Sequence, residues 1–296
     1  MKTVVSVSLG SARRDFDIEA TLGGIPFRLR RVGTGGDLEQ ARRMVGRLDG
    51  QADAIGLGGA NLAYRVGARL YGCREGQTVA RAASRTPVVD GSGFKDTYER
   101  GLPAYLERNG VQLSGKKVLL VSALDRWGLG EAFEAAGATV MVGDAVFALG
   151  LPVLFPGLRW FAAAARLTMW GLCRLPLQQL YPLGAAREAN TPKFAWAWRS
   201  AAVVAGDFGF IRRYMPHSLR DKIIVTTSTT AQDRDLLRER RAAAVCTMVS
   251  PLDGRTFGAN VLDASAVAAV GRFPLKREDY VWWWEKAGLE PHIEWL

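Results

Sequence analysis

Cysteine, histidine and long apolar runs are scarce in this 296-residue chain, and each scarcity closes off a class of protein. The three cysteines, Cys73, Cys173 and Cys246, form no CxxC pair and are odd in number. That excludes a disulfide scaffold and points to a reducing compartment, the cytoplasm. With only His217 and His292, a multi-histidine metal site is out of reach, and zinc-ligand spacings are absent. The most apolar stretch, residues 145–158, is interrupted by Pro152 and Pro156 and then meets Arg159. A spanning helix needs about 20 apolar residues, so no integral membrane segment is expected. Residues 1–10 alternate like a strand and are apolar over too short a stretch for a signal peptide. Lysine is sparse too, supplying eight of the 39 basic residues, and the segment 145–187 contains no Asp or Glu.

What is present is an ordinary globular balance, 48% hydrophobic and 23% charged, which rules out a disordered or collagen-like chain. The net charge of +10 needs a location. Nucleic-acid binding demands a concentrated basic stripe with interleaved aromatics. Here four arginines fall in the acid-free segment 145–187 and the remaining excess is dispersed among Glu and Asp. The expected partner is therefore a small anionic molecule, with no nucleic acid.

Strand and helix signals alternate along the chain. Strands are predicted at 3–8, at 16–22 and 26–32 around a Gly23-Gly24 turn, at 54–57, and at 64–66 and 69–71 as a second hairpin. A helix is predicted from Asp37 to Leu48 with Gln40 as its capping-box partner, and a short one over 77–83. After the strand 87–89, the turn Asp90-Gly91-Ser92-Gly93 opens a long helix reaching Glu107. The strand 118–121, a helix over 130–136 and the strand 139–142 form a β-α-β unit of the dinucleotide-binding kind. Strands at 202–205, 223–226 and 243–247 and a final apolar helix at 259–270 follow. This predicts a two-domain α/β protein. A mixed N-terminal α/β substrate domain covers 1–100. A Rossmann-like dinucleotide-binding domain covers 101–255, with an insertion at 145–187. C-terminal helices at 256–296 pack back toward the cleft.

The run Val88-Val89-Asp90-Gly91-Ser92-Gly93-Phe94, followed by a helix and then Gly115-Lys116-Lys117-Val118-Leu119-Leu120-Val121, resembles the shikimate/quinate 5-dehydrogenase family across residues 86–144. In that family an N-T-D-G-x-G-F turn opens the connecting helix and a G-K-x-V-L-V-L-G strand opens the nicotinamide domain. The resemblance implies an NAD(P)-dependent oxidoreductase that moves hydride on a small hydroxylated carboxylate, with Asp90 as catalytic acid/base. On the residues alone, the same Asp equally caps the orphan N–H groups of a helix entry.

Three departures bear on the resemblance. The family's N-V-T-x-P-x-K segment is missing, since the only lysine before Asp90 is Lys2, and Lys95 reads as a solvated first-turn side chain. The phosphate loop is Ser122-Ala123-Leu124-Asp125-Arg126-Trp127-Gly128-Leu129-Gly130 instead of G-x-G-x-x-G. Ser122, Ala123, Arg126, Gly128 and Gly130 are its candidate cofactor contacts, and Asp144 falls where a ribose-binding acid belongs. Finally, Ser265 stands where the family's G-x-x-M-L-x-x-Q helix has its substrate-contacting Gln.

Two later loops follow strand carboxyl ends, where α/β sheets place ligands. They carry Asp207 and Thr226 as cofactor candidates and Arg212 as a carboxylate partner, and Asn61 follows a first-domain strand as a substrate candidate. The cofactor expected is NAD or NADP. The alternative is a non-redox ligand-binding or regulatory protein with a degenerate Rossmann site. Within the insertion, Arg159, Arg166 and Arg174 share a helical face among aromatics. Such a helix lies on a membrane, covers a pocket, or is buried at an interdomain or homodimer contact, and the last is the expectation. Trp282-Trp283-Trp284 cannot all face one side of a helix.

Overall fold

The computed structural model of the chain describes residues 1–176, 189–250 and 256–296. Residues 177–187 of the insertion, and 251–255 at the end of the second predicted domain, lie outside these. The first sheet grows from β1 (Lys2–Ser8), whose last five residues are all buried, as befits a strand covered on both faces. β2 (Phe16–Leu22) alternates partly buried and exposed positions and turns through Gly23 and Gly24, both at positive φ, into β3 (Ile25–Gly33). α1 (Leu38–Leu48) is capped by Asp37, whose carboxylate accepts from Gln40 N–H, and it buries Ala41 and Val45. β4 (Ala54–Gly58) follows, then β5 (Ala63–Val66) and β6 (Arg69–Gly72) as a separate hairpin. α2 (Arg74–Ala80) begins three residues before the predicted helix and leads to β7 (Val88–Val89). The order is β2-β3-β1-β4-β7, parallel except for β2.

The predicted single connecting helix is instead α3 (Ser92–Tyr98), a 3-10 turn at Glu99–Gly101, and α4 (Leu102–Arg108). Pro103 explains the break, because it has no N–H to give to the preceding turn and suits only the start of a helix. The second sheet begins with β8 (Lys117–Leu120), α5 (Trp127–Ala135), β9 (Thr139–Val142), α6 (Asp144–Phe147), β10 (Phe155–Pro156) and α7 (Leu158–Leu172). It continues through α8 (Ala195–Arg199), β11 (Val203–Ala205), α9 (Phe208–Tyr214), β12 (Ile223–Thr226), α10 (Ala231–Glu239) and β13 (Ala244–Thr247). The order β10-β9-β8-β11-β12-β13, closed by β14 (His292–Trp295), has five parallel central strands and antiparallel edges, and it reverses direction between β8 and β11. This is a Rossmann-like doubly wound sheet.

The chain then returns to the first unit. α11 (Ala259–Val270) packs on β1 and β4, and α12 (Arg277–Ala287) packs on α3 and α11. Last comes β14 (His292–Trp295), an edge strand absent from the sequence reading. The tryptophan run is divided as its spacing requires. Trp283 is fully buried beside Phe27, Trp284 stacks on Tyr98 at 3.9 Å, and Trp282 is exposed. α7 is buried on one side within the chain: Phe161, Ala162, Ala165 and Met169 face inward, while Trp160, Leu167 and Trp170 face outward. No helix among the described residues is long and apolar enough to cross a membrane.

Candidate functional site

Parallel strands align their carboxyl ends, and the two sheets here turn those ends toward one cleft of about 560 Å³. The first unit contributes the loop after β1 (Ser8 to Arg14), the loop after β4 (Gly58 to Asn61) and Asp90 after β7. The second contributes Asp125 and Arg126 after β8, Asp207 to Gly209 after β11, and Thr226 to Gln232 after β12. The head of α11, Gly258 to Val261, closes it. Of the residues singled out from sequence, the cleft gathers Asp90, Asn61, Arg126, Asp207, Thr226 and Arg212.

Asp90 is buried and holds two backbone groups. One carboxylate oxygen accepts from Leu62 N–H at 2.6 Å and the other from Ser92 N–H at 2.9 Å. The next residue must be glycine. Gly91 has φ +89°, and a Cβ there would come within 2.7 Å of Asn260 N. Lys95 corrects the sequence reading of a solvated side chain, for it is 6% exposed and lines the cleft. α3 carries its ammonium inward onto the carboxylate of Asp125, and Asn61 Nδ2 donates to the same Asp125 oxygen at 2.9 Å. Two groups of the first unit thus grip an acid in the loop of the second. Arg126 is anchored behind this tie by buried Glu99, which also accepts from Thr227 Oγ1 at 3.2 Å.

The expected cofactor contacts divide differently. Asp144 does not line the cleft. Its carboxylate turns back and accepts from Ala123 N–H at 2.7 Å and Leu124 N–H at 3.0 Å. Burial raises its pKa to about 7, although both bonds pull the other way. Ser122 and Ala123 are likewise behind the surface, and Ser122 Oγ accepts from Asp207 N–H at 3.1 Å. Gly128 and Gly130 serve packing: a Cβ at Gly130 would stand 2.9 Å from Leu120 Cδ2, and one at Gly128 would stand 2.8 Å from Asp96. Ser265 is fully buried and donates to Val261 O at 2.7 Å within α11, so it faces no substrate. These residues do not fit a dinucleotide. The loop's N–H donors already carry a carboxylate, and side chains occupy the positions that close pyrophosphate approach leaves to glycine.

On the other wall, Arg212 and Arg14 both bond buried Asp233, at 2.9 and 3.2 Å, so Arg14 reaches across from the first unit. Asp233 also closes a capping box with Thr230 at the start of α10, and Asp207 caps α9 through Gly209 N–H at 2.8 Å. Sequence reasoning passed over the Ser8–Arg14 loop, whose signal was a Ser-x-Gly-Ser turn at a strand end, and took Asp263 only as a polar group near Ser265. That carboxylate is buried, accepts from Tyr280 Oη at 2.6 Å, and is pushed up to about 7 by burial. Among the described residues no group of three or more His, Cys, Asp or Glu is placed to hold a metal ion. The lining sets six cationic side chains, Arg13, Arg14, Arg31, Lys95, Arg126 and Arg212, against three aspartates and is rich in hydroxyls.

Fold and cleft together define a two-unit α/β protein with a Rossmann-like second sheet. Residues 93–296, more than half of the chain, match the family described as a domain of unknown function, DUF8754, and the chain belongs to that family. Residues 3–90 match a second domain of unknown function, DUF8753. No curated protein matches. Similar solved structures include a hetero-hexameric glutamate dehydrogenase from Thermus thermophilus at 14% identity and TM-score 0.45, covering 97% of this chain and 73% of that one. A methylenetetrahydrofolate dehydrogenase-cyclohydrolase from Trypanosoma brucei is similar at 13% identity and TM-score 0.33, covering 97% and 88%. A periplasmic ribose ABC transporter protein from Conexibacter woesei is similar at 11% identity and TM-score 0.35, covering 92% and 86%.

Proposed function

We propose that the chain binds a small hydroxylated anion of the carboxylate class in the cleft between its two units, and does so without a dinucleotide. The observation that carries this reading is the Asp144 carboxylate seated on Ala123 and Leu124 N–H. A Rossmann loop offers such donors to pyrophosphate, and here a fixed acid already fills them. The cationic side chains and hydroxyls around the cleft suit a carboxylate bearing several OH groups.

A second reading, an NAD(P)-dependent oxidoreductase of the shikimate/quinate 5-dehydrogenase type, keeps one observation in its favour. Asp90 and Lys95 line the same cavity, and they are the acid and amine that alcohol oxidation requires. Calorimetric titration separates the two. NAD+ and NADP+ at millimolar concentration are expected to give no heat, while a panel of hydroxycarboxylates that includes quinate yields a binder whose affinity falls with salt. Heat from either dinucleotide would overturn the first reading in favour of the second.

A further inference from the structure

We propose that the outer face of α7 is a docking surface for an anionic lipid membrane. Trp160, Leu167 and Trp170 are 61%, 86% and 69% exposed. At about 100° per residue, positions 160, 167 and 170 fall within one sector of roughly 80°. They form a stripe, and a contiguous exposed apolar patch marks an interaction site in a way that scattered apolar residues do not. Arg159 and Arg166 lie exposed along one margin of the stripe. Arg174 sits at its end, with its guanidinium 3.6 Å from the Trp170 ring centre.

Charge complementarity selects the occupant. Residues 145–187 hold four arginines and no Asp or Glu, so the segment that carries the stripe is itself purely cationic, and Glu134 meets the helix at its N-terminus, accepting from Leu158 N–H at 2.8 Å. Tryptophan and arginine are the side chains that settle at headgroup depth, and an apolar stripe with a cationic rim lies in the interface without spanning it. A second copy of this chain would set arginines against arginines. The neighbouring hairpin extends the surface. A Cβ at Gly67 would stand 3.6 Å from Arg166 Nη2, and Arg69 and Leu70 just beyond are exposed. The buried face of α7 and the contact of Cys173 with Cys73 of the first unit, sulfurs 4.0 Å apart, hold the helix in place.

Co-sedimentation of the full chain tests this with vesicles of phosphatidylcholine alone and vesicles in which one third is phosphatidylglycerol. Binding is expected to the anionic vesicles only, and to weaken as salt rises. The triple variant R159Q/R166Q/R174Q should lower the partition coefficient about a hundredfold. The variant W160S/L167S/W170S should abolish quenching of tryptophan fluorescence by brominated acyl chains. All six substitutions are at exposed positions, so melting curves by circular dichroism should match wild type. Equal binding to neutral vesicles, no binding, or binding that neither variant changes would overturn the proposal. So would a lipid-free dimer that W160S/L167S/W170S dissociates, which would assign the face to a second copy. Retention of an acidic protein competitor in preference to vesicles would also overturn it.

Discussion

Asp144 and Asp263 each bury a carboxylate beneath the cleft, and burial lifts both to about 7, well above the usual 3.8. Below pH 4 the folded and unfolded chains both hold these protons, so the groups cost nothing. Between pH 4 and 7 the unfolded chain releases them while the folded chain retains them. The folded state then binds more protons, and stability falls as pH rises. Above 7 both states are ionised and the cost is complete. Asp17, Asp49, Asp53 and Asp279 are shifted the opposite way, below 3.8, and Glu39 below 4.5, so their contributions change only under more acidic conditions. Urea midpoints measured from about pH 5 to 8, above the range in which the lowered carboxylates titrate, are therefore expected to decline toward 7 and then level off, with D263N removing part of the slope. A flat or rising profile would show that these carboxylates are solvated in the folded chain.

At the scale of elements, the glycines of β4 and of the turn after β7 are explained by α11. A Cβ at Gly56 would lie 2.5 Å from Asn260 O, and one at Gly58 would lie 2.9 Å from Ser8 Oγ. Backbone meets backbone here, and Asn260 Nδ2 reaches through to Ser6 Oγ at 2.7 Å. G56A is expected to cost about 1–3 kcal/mol, as overpacking of a closed contact does. G46A, inside α1 with its nearest neighbour at 3.4 Å, should instead stabilise by about 0.5–1 kcal/mol. Urea unfolding of the pair checks both signs. These packing roles also show what was legible. The strands around Gly23-Gly24 and the helix at Ala259–Val270 stand where periodicity puts them, because each carries its own local signal. β14 was missed because a four-residue edge strand borrows its pairing from β13. α9 was missed because Gly209 interrupts its apolar pattern in the first turn. Lys95 was misread because its burial is imposed by Asp125, thirty residues away on another element. In the same way, Asp144 keeps the spacing of a ribose-binding acid while its side chain serves the loop behind it.

The whole molecule is held around the cleft by contacts that cross it: α11 on the first sheet, Lys95 and Asn61 on Asp125, and Arg14 on Asp233. These crossings are not equal. The side chains of Lys95 and Asp125 are 7% and 8% exposed, so the pair is desolvated, and losing one partner would strand the other's charge. Arg14 is 41% exposed, and its reach to Asp233 is screened by water. Asp233 itself is fully buried and also holds Arg212 and the Thr230 cap, so its loss affects more than the crossing. R14Q is therefore expected to cost less than about 1 kcal/mol. D233N should cost about 2–4 kcal/mol through the cap and the stranded Arg212. Urea unfolding of R14Q, D233N and the double variant makes a cycle whose coupling isolates the crossing contact. A coupling below about 1 kcal/mol would place the work of holding the units together on α11 and the Lys95–Asp125 tie, leaving Arg14 available to an anion in the cleft. A coupling as large as the D233N loss would instead make Arg14 a structural latch and remove it from the ligand's reach.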